Sequence, residues 1–367
     1  MSSTTNKPGR SAEIALLFTA FIASTYGFGM YLFPAAIEPI RADIPFSYST
    51  MGMISGLVQA GFMACALMAG FLTMALGALR VILGAIALCA LGLCGLTFAN
   101  SVAAIAACLM LLGGCAAAIW IPMVEVSRDY IARQHQGKAL GLMSSGTSYG
   151  VFINSFLLTT ILPLYGWRSL WIATGGLVAL LALFSFMRLR GAGEKSANAT
   201  PGEKTSLSLR IAALPKGLTA AILFMMFLNG LSCMPYQTYL SAFLQGEAGY
   251  SAETAAHIWR TMGVVGMVSG FMIGWMADRI TVRLGMIVTY LILAAACFFL
   301  LRSTGGSSQA MLYAAGISFG ISFYAIFGLV PAYISHAYGQ GSAALVLPSA
   351  ISCSASAALQ ATFWVAR

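Results

Sequence analysis

The sequence predicts an all-α integral membrane protein with about eleven transmembrane helices. Three observations lead there. Hydrophobic residues make up 59% of the 367 and charged residues only 8%, against about 25% charged in a soluble domain. A soluble chain so composed would lack the polar groups to cover its surface. Second, apolar runs of about 20 residues succeed one another, the length a helix needs to cross a hydrocarbon core. Barrel strands would be about 10 residues long and would alternate strictly. Third, the basic residues collect on one side. With the N-terminus placed in the cytoplasm, 14 of the 19 Lys and Arg face inward; Arg41, Arg168, Arg260, Arg302 and Arg367 remain outside. The opposite orientation reverses that ratio, so the positive-inside bias sets the topology.

The elements follow in chain order. A polar stretch, "MSSTTNKPGRS", leads into an apolar run too long for a signal peptide, so the first span, near 14–36, is expected to remain as an anchor. Further spans are expected at 51–73, 80–99, 101–124, 139–162 and 167–188. Residues 189–216 form a linker rich in Gly, Ser, Ala, Lys and Glu. It holds the sequon at Asn198, which this orientation places in the cytoplasm. Five spans follow, at 217–240, 256–277, 283–301, 308–331 and 340–364. The chain thus divides into an N-terminal six-helix half (1–188), a cytoplasmic linker (189–216) and an incomplete C-terminal half (217–367). The stretch from Gly70 and the stretch from Gly274 match at an offset of 204 residues, which carries the first span onto the seventh. Two such copies place a substrate site between them, near the midplane.

Other function classes find little support. The net charge of +9 is spread over loops with no basic stripe, so nucleic acid is not an expected partner. The eight cysteines lie within apolar runs without metal-type spacing and read as buried thiols. No metal or cofactor is expected. An embedded enzyme would need a nucleophile with its base or a metal set; neither HExxH nor clustered His occurs.

The stretch "GWMADRITVR" carries the most specific pattern. Gly274, Asp278, Arg279 and Arg283 close an apolar helix. This G-x-x-x-D-R-x-x-x-R arrangement resembles the loop signature of the major facilitator superfamily. A worn first copy keeps Gly70, Gly77 and Arg80, with Met74 at the Asp position. The fragments "GKALGLMSSGTSYG" and "GWRSLWIATGGL" resemble the openings of that family's fifth and sixth spans. The resemblance covers nearly the whole chain and implies two six-helix bundles, here with about 11 of 12 helices. It implies a monomeric transporter of the inner or plasma membrane, moving a small-molecule substrate by alternating access. A transporter-like protein without transport activity stays open as the alternative. The resemblance also implies that the Asp-Arg cluster is a latch made in one transport state and broken in another. Physically, Asp278 sits at the negative end of its helix dipole and needs cationic partners. Glu125 either replaces the missing acid beside Arg80 or Arg128, or is a solvated interfacial carboxylate.

Near the predicted midplanes there is no Asp, Glu, Lys, Arg or His; no carboxylate relay for protons is therefore expected. Candidate cavity residues are Tyr26, Asn154, Asn229 and Tyr324, from spans one, five, seven and ten. Tyr and Asn bind a ligand without burying a charge, though interhelical hydrogen bonds would use the same residue types. Tyr26–Gly29 is expected to loosen span one, Trp120 to anchor at the membrane interface, and "GTSYG" to give a close-packing face. The final stretch, from Leu347, lacks Gly. A coding sequence chosen for it gives a Gly-rich stretch when read two bases later. The expectation is that a frameshift near Leu347 removed the native last spans; a native short C-terminus is the alternative.

Asp278→Asn is expected to impair transport while leaving membrane insertion intact. Flux in proteoliposomes over a range of membrane potentials checks this; a wild-type rate throughout would remove the latch reading.

Overall fold

The structure, a computed structural model, describes residues 8–131, 133–189, 215–304 and 309–365. All of its regular elements are helical, and no strand occurs among the described residues. Eight helices there are long and apolar enough to cross a membrane. The linker residues 190–214, with Asn198, lie outside the described set, as does Arg367.

The helices start where the local chemistry dictates. Ser47, Ser101, Ser251 and Thr281 each accept a hydrogen bond from the backbone N–H three residues on, capping the helices Tyr48–Leu76, Val102–Tyr130, Ala252–Arg279 and Val282–Arg302. Ser47 and Thr50 share a hydroxyl contact of 3.0 Å, and Ser251 and Thr254 share another of the same length. These two caps stand at the offset of 204 read from the sequence. The Val282–Arg302 helix begins at the same offset from Ala78–Thr97. Between Leu76 and Ala78 the chain turns at Gly77, whose φ of 86° a side chain would resist.

Two expected spans differ in form. The fifth is broken into Arg133–Ser144, Gly146–Thr160 and Leu162–Tyr165. The eighth, Ala252–Arg279, is continuous, but Glu253, His257 and Arg260 make its first turns less apolar than the other crossings.

Spans ten and eleven lie in one helical run, Gln309–Val365. A straight helix of that length would extend about 86 Å. Phe319, however, stacks on Tyr236, while Cys353 donates to the Leu223 carbonyl and Ser354 lies against Gly230. Tyr236 and Gly230 are only about 9 Å apart along the Lys216–Ala242 helix, whereas Phe319 and Ser354 would be about 52 Å apart along a straight one. The run therefore turns back on itself between them. The two crossings expected at 308–331 and 340–364 are its two arms.

The helices before residue 190 and those after residue 215 meet most extensively along two pairs, Gly146–Thr160 with Ala252–Arg279 and Tyr48–Leu76 with Gln309–Val365, and the Leu32–Ala35 turn also meets Lys216–Ala242. At the outer end, named for the orientation the charges imply, the first set is braced by Arg168. Its guanidinium bonds Asp43 at 2.5 Å and Asn100 Oδ1 at 3.0 Å. Trp167 Nε1 donates to the same Asp43 oxygen at 3.1 Å. Three connections, after spans one and three and before span six, are thus tied together. The sequence placed Arg168 on the outer side but gave it no partner.

Arg168, and then the Trp167 N–H, holds the Asp43 carboxyl below its ordinary range. A lowered carboxylate pKa means that the folded state takes up its proton later than the unfolded chain. The brace is thus present above about pH 4 and is lost as pH falls through the folded value. Thermal unfolding in detergent between about pH 3 and 7 should show a shallower acid-side loss for Asp43→Asn than for the parent; equal slopes would count against the brace.

Candidate functional site

The first span is not a simple α-helix. Pro8–Ile22 is α-helical, Ala23–Tyr31 winds as a π-helix, Leu32–Ala35 returns to α, and the chain breaks at Ala36 before Ile37–Asp43. The π stretch contains Tyr26–Gly29, the segment expected to loosen. Small residues let the fifth span press against it. Gly146 abuts Thr19 and Ile22, and Gly150 abuts Ala23 and Gly27. A Cβ on Gly150 would fall 2.5 Å from the Ala23 carbonyl oxygen. "GTSYG" is therefore a packing face, as read. It also has the G-x-S-x-G spacing of a hydrolase nucleophile, a match the sequence reading passed over. Here it lies in the first turns of a helix, with no strand before it among the described residues, and Ser148 is fully buried; it is not a nucleophile elbow.

π-winding also changes which residues share a face. Residues five apart are about 140° apart on an α-helix, whereas i→i+5 bonding stacks them. Tyr26 and Tyr31 thereby lie within electrostatic reach of one another. Tyr31 was not among the candidates. It proves central: it is 4% exposed, lies beside Gln237, is within reach of Tyr324 and Cys233, and sets its ring edge-on to Phe323 at 6.2 Å. The available signal was the five-residue spacing across two glycines.

Around Tyr31 the two sets of helices form an aromatic seam. Tyr236 stacks on Phe319 at 3.9 Å, Phe319 on Phe323 at 5.4 Å, and Tyr324 meets Phe323 edge-on at 5.1 Å. On the other side of Tyr31, a narrow cavity of about 30 Å³ is lined by Met30, Tyr31, Ser55, Gln59, Met234, Gln237 and Thr238, among others. Gln59 reaches across it to the Met234 sulfur, 3.4 Å away. The Gln237 amide is 2% exposed and lies against the Tyr31 side chain, with no partner at full hydrogen-bonding geometry. The hydroxyls of Tyr236 and Tyr324 and Oδ1 of Asn154 are in the same condition. Buried polar groups are usually satisfied, so this concentration makes the seam the candidate site.

Of the four predicted cavity residues, Tyr26 and Tyr324 converge on Tyr31. Asn154 joins them through the π stretch, its Nδ2 donating to the Gly27 carbonyl at 2.7 Å. Asn229 stands one turn inward of Cys233, whose sulfur approaches its Oδ1 at 3.6 Å. Trp120 is no interface anchor. It is half-buried and meets the Tyr26 ring edge-on at 6.3 Å, so its indole packs inward on span one.

The predicted latch is only partly visible. Gly77 makes the turn described above, and Arg80 and Arg283 are exposed. Arg279 lies over the Trp275 ring at 4.8 Å. The side chains of Gly70, Glu125, Gly274 and Asp278 lie outside the described set.

The profile of the Major Facilitator Superfamily matches residues 17–360. The chain belongs to that superfamily. It is a multi-pass membrane protein of a solute-transport family. A cis,cis-muconate transport protein of Acinetobacter baylyi is 21% identical over 298 residues, covering 78% of this chain and 72% of that one. Among solved structures, a bacterial homolog to the human lysosomal transporter Spinster, inward-facing and unoccupied, shares the fold. Its TM-score is 0.72 at 17% identity, over 97% of this chain and 82% of the other. The occupied form of such a homolog gives 0.68 at 16%, over 94% and 79%.

Asn154→Ala removes the donor to Gly27 and is expected to cost about 1 kcal/mol without preventing folding. A lowered melting temperature in detergent, with a monodisperse elution profile, is the expected result.

Proposed function

We propose that this chain moves a small organic solute across the inner or plasma membrane by alternating access. The halves are residues 1–188 and 217–367, joined by the cytoplasmic linker 189–216. The observation that carries this reading is the Gln237 amide, buried beside Tyr31 with hydrogen-bonding capacity to spare, in a seam lined from both sets of helices. A group confined to one half would serve packing; a group between the halves meets solute when they part.

The seam favours a particular chemistry. Its donors and acceptors are phenols and amides, and its walls are flat aromatic rings. It suits a small planar solute with a hydrogen-bonding end. Burying a bare charge without a partner is costly, so a highly charged solute fits less well. The muconate-transporting relative supports a small organic substrate. On the inner side, Asp278 with Arg279 and Arg283 is the state-dependent latch, with Gly274 allowing close approach. Gly70, Gly77, Arg80 and Glu125 form its first-half counterpart. Tyr26, Asn154, Asn229 and Tyr324 line the path, together with Tyr31 and Gln237.

A metabolite-wide thermal-shift screen, followed by flux measurement on the hits, tests the function. Gln237→Leu should raise the apparent KM about tenfold, the worth of one or two hydrogen bonds, at unchanged expression. Asn229→Ala and Tyr324→Phe should do so to a smaller degree. Unchanged kinetics with a reduced protein level would assign these residues to packing.

A further inference from the structure

The outer part of the seam holds a charged group that the sequence placed in the outermost turns of span eight. Arg260 lies eight residues into the Ala252–Arg279 helix, about 12 Å below its outer end. Its side chain crosses to the Gly146–Thr160 helix. Nη2 donates to Thr159 Oγ1 at 2.9 Å and Nε to Ser155 Oγ at 3.4 Å, and the guanidinium stands 4.9 Å from the Phe156 ring. Among the described residues it has no carboxylate partner. One cation of the second set thus grips a full turn of the first.

The grip can be undone at little cost. Thr159 Oγ1 donates to the Ser155 and Phe156 carbonyls, and Ser155 Oγ to the Phe152 carbonyl. Arg260 borrows only their lone pairs. When it leaves, neither hydroxyl loses the acceptor for its proton. Withdrawal from a carboxylate would instead leave a buried charge without a partner. Released, the long side chain can extend toward outer water. The neighbouring Trp259 makes a second tie, its Nε1 donating to Ser241 Oγ at 2.9 Å and Ser241 in turn to the Ala35 carbonyl at 3.4 Å.

We propose that Arg260 is a releasable outer latch: it closes the outer ends of spans five and eight in the state described, and lets go when the outer side opens. The proposal rests on the alternating-access reading above. Its test reads conformation rather than flux, so that the two can fail separately. Thr238→Cys places a thiol in the seam, and a membrane-impermeant maleimide applied from outside in right-side-out vesicles reports its exposure above the background of the native cysteines. Arg260→Ala should raise the labelling rate about tenfold, the worth of a hydrogen bond to a charged group. The near-isosteric pair Ser155→Ala with Thr159→Val should match it without disturbing the fold, and the combination should add nothing further. Arg260→Lys should fall between. Labelling unchanged in both sets, absent in all variants, or fully additive in the combination would overturn the latch. Absence of flux for every solute, with labelling as expected, would overturn the transport reading and leave the latch standing.

Discussion

Inside a hydrocarbon layer the backbone has no water to bond, so every N–H and C=O must find a partner within the protein. The rest of the structure depends on that constraint. It makes every regular element among the described residues helical, and it decides where irregular backbone can occur. The first span departs from α-helix twice, over Ala23–Tyr31 and at Ala36. Both departures are covered by protein: Asn154 donates to the Gly27 carbonyl, and Ser241 to that of Ala35. One donor comes from the fifth span and the other from the seventh. Irregularity here belongs to the interior surface between the two sets of helices.

That placement accounts for the character of the seam. A π-wound stretch brings Tyr31 onto the face that Tyr26 already occupies, and Tyr31 then organises residues from spans seven and ten. The arrangement is polar without being ionic. Phenol and amide groups keep their hydrogen-bonding capacity in an apolar setting, and the stacked rings of Tyr236, Phe319 and Phe323 fix the wall against which they act. The only cation bonded across the seam among the described residues, Arg260, sits further out and is held by neutral oxygens.

Much of this was legible in the sequence. Membrane helices follow from apolar length and charge scarcity, which are one-dimensional properties. The repeat offset of 204 was readable from Gly70 and Gly274, and it recurs in the caps at Ser47 and Ser251. The packing role of Gly146 and Gly150 follows from small residues at helical spacing. Tyr31 escaped because its partnership depends on π-winding, and an α-helical wheel points it away from Tyr26. Trp120 was misplaced because depth alone does not say that a ring, Tyr26, stands beside it on the inner face. Arg260 was seen, but as an end-of-helix charge; its partners Ser155 and Thr159 lie about a hundred residues away and look like ordinary hydroxyls. The turned-back run from Gln309 to Val365 likewise depends on contacts with Leu223, Gly230 and Tyr236 that no local pattern announces.

The contact of Gly27 with Gly150 has a mechanical consequence. Main chain touches main chain there, with no side chain between to bend or change rotamer. At that depth, spans one and five have no side chain at their contact to take up a relative shift. A pull exerted on Ser155 and Thr159 from the neighbouring span is delivered to the π-wound stretch undiminished by soft material. The turn that Arg260 grips is separated from the aromatic seam by only a few turns of helix.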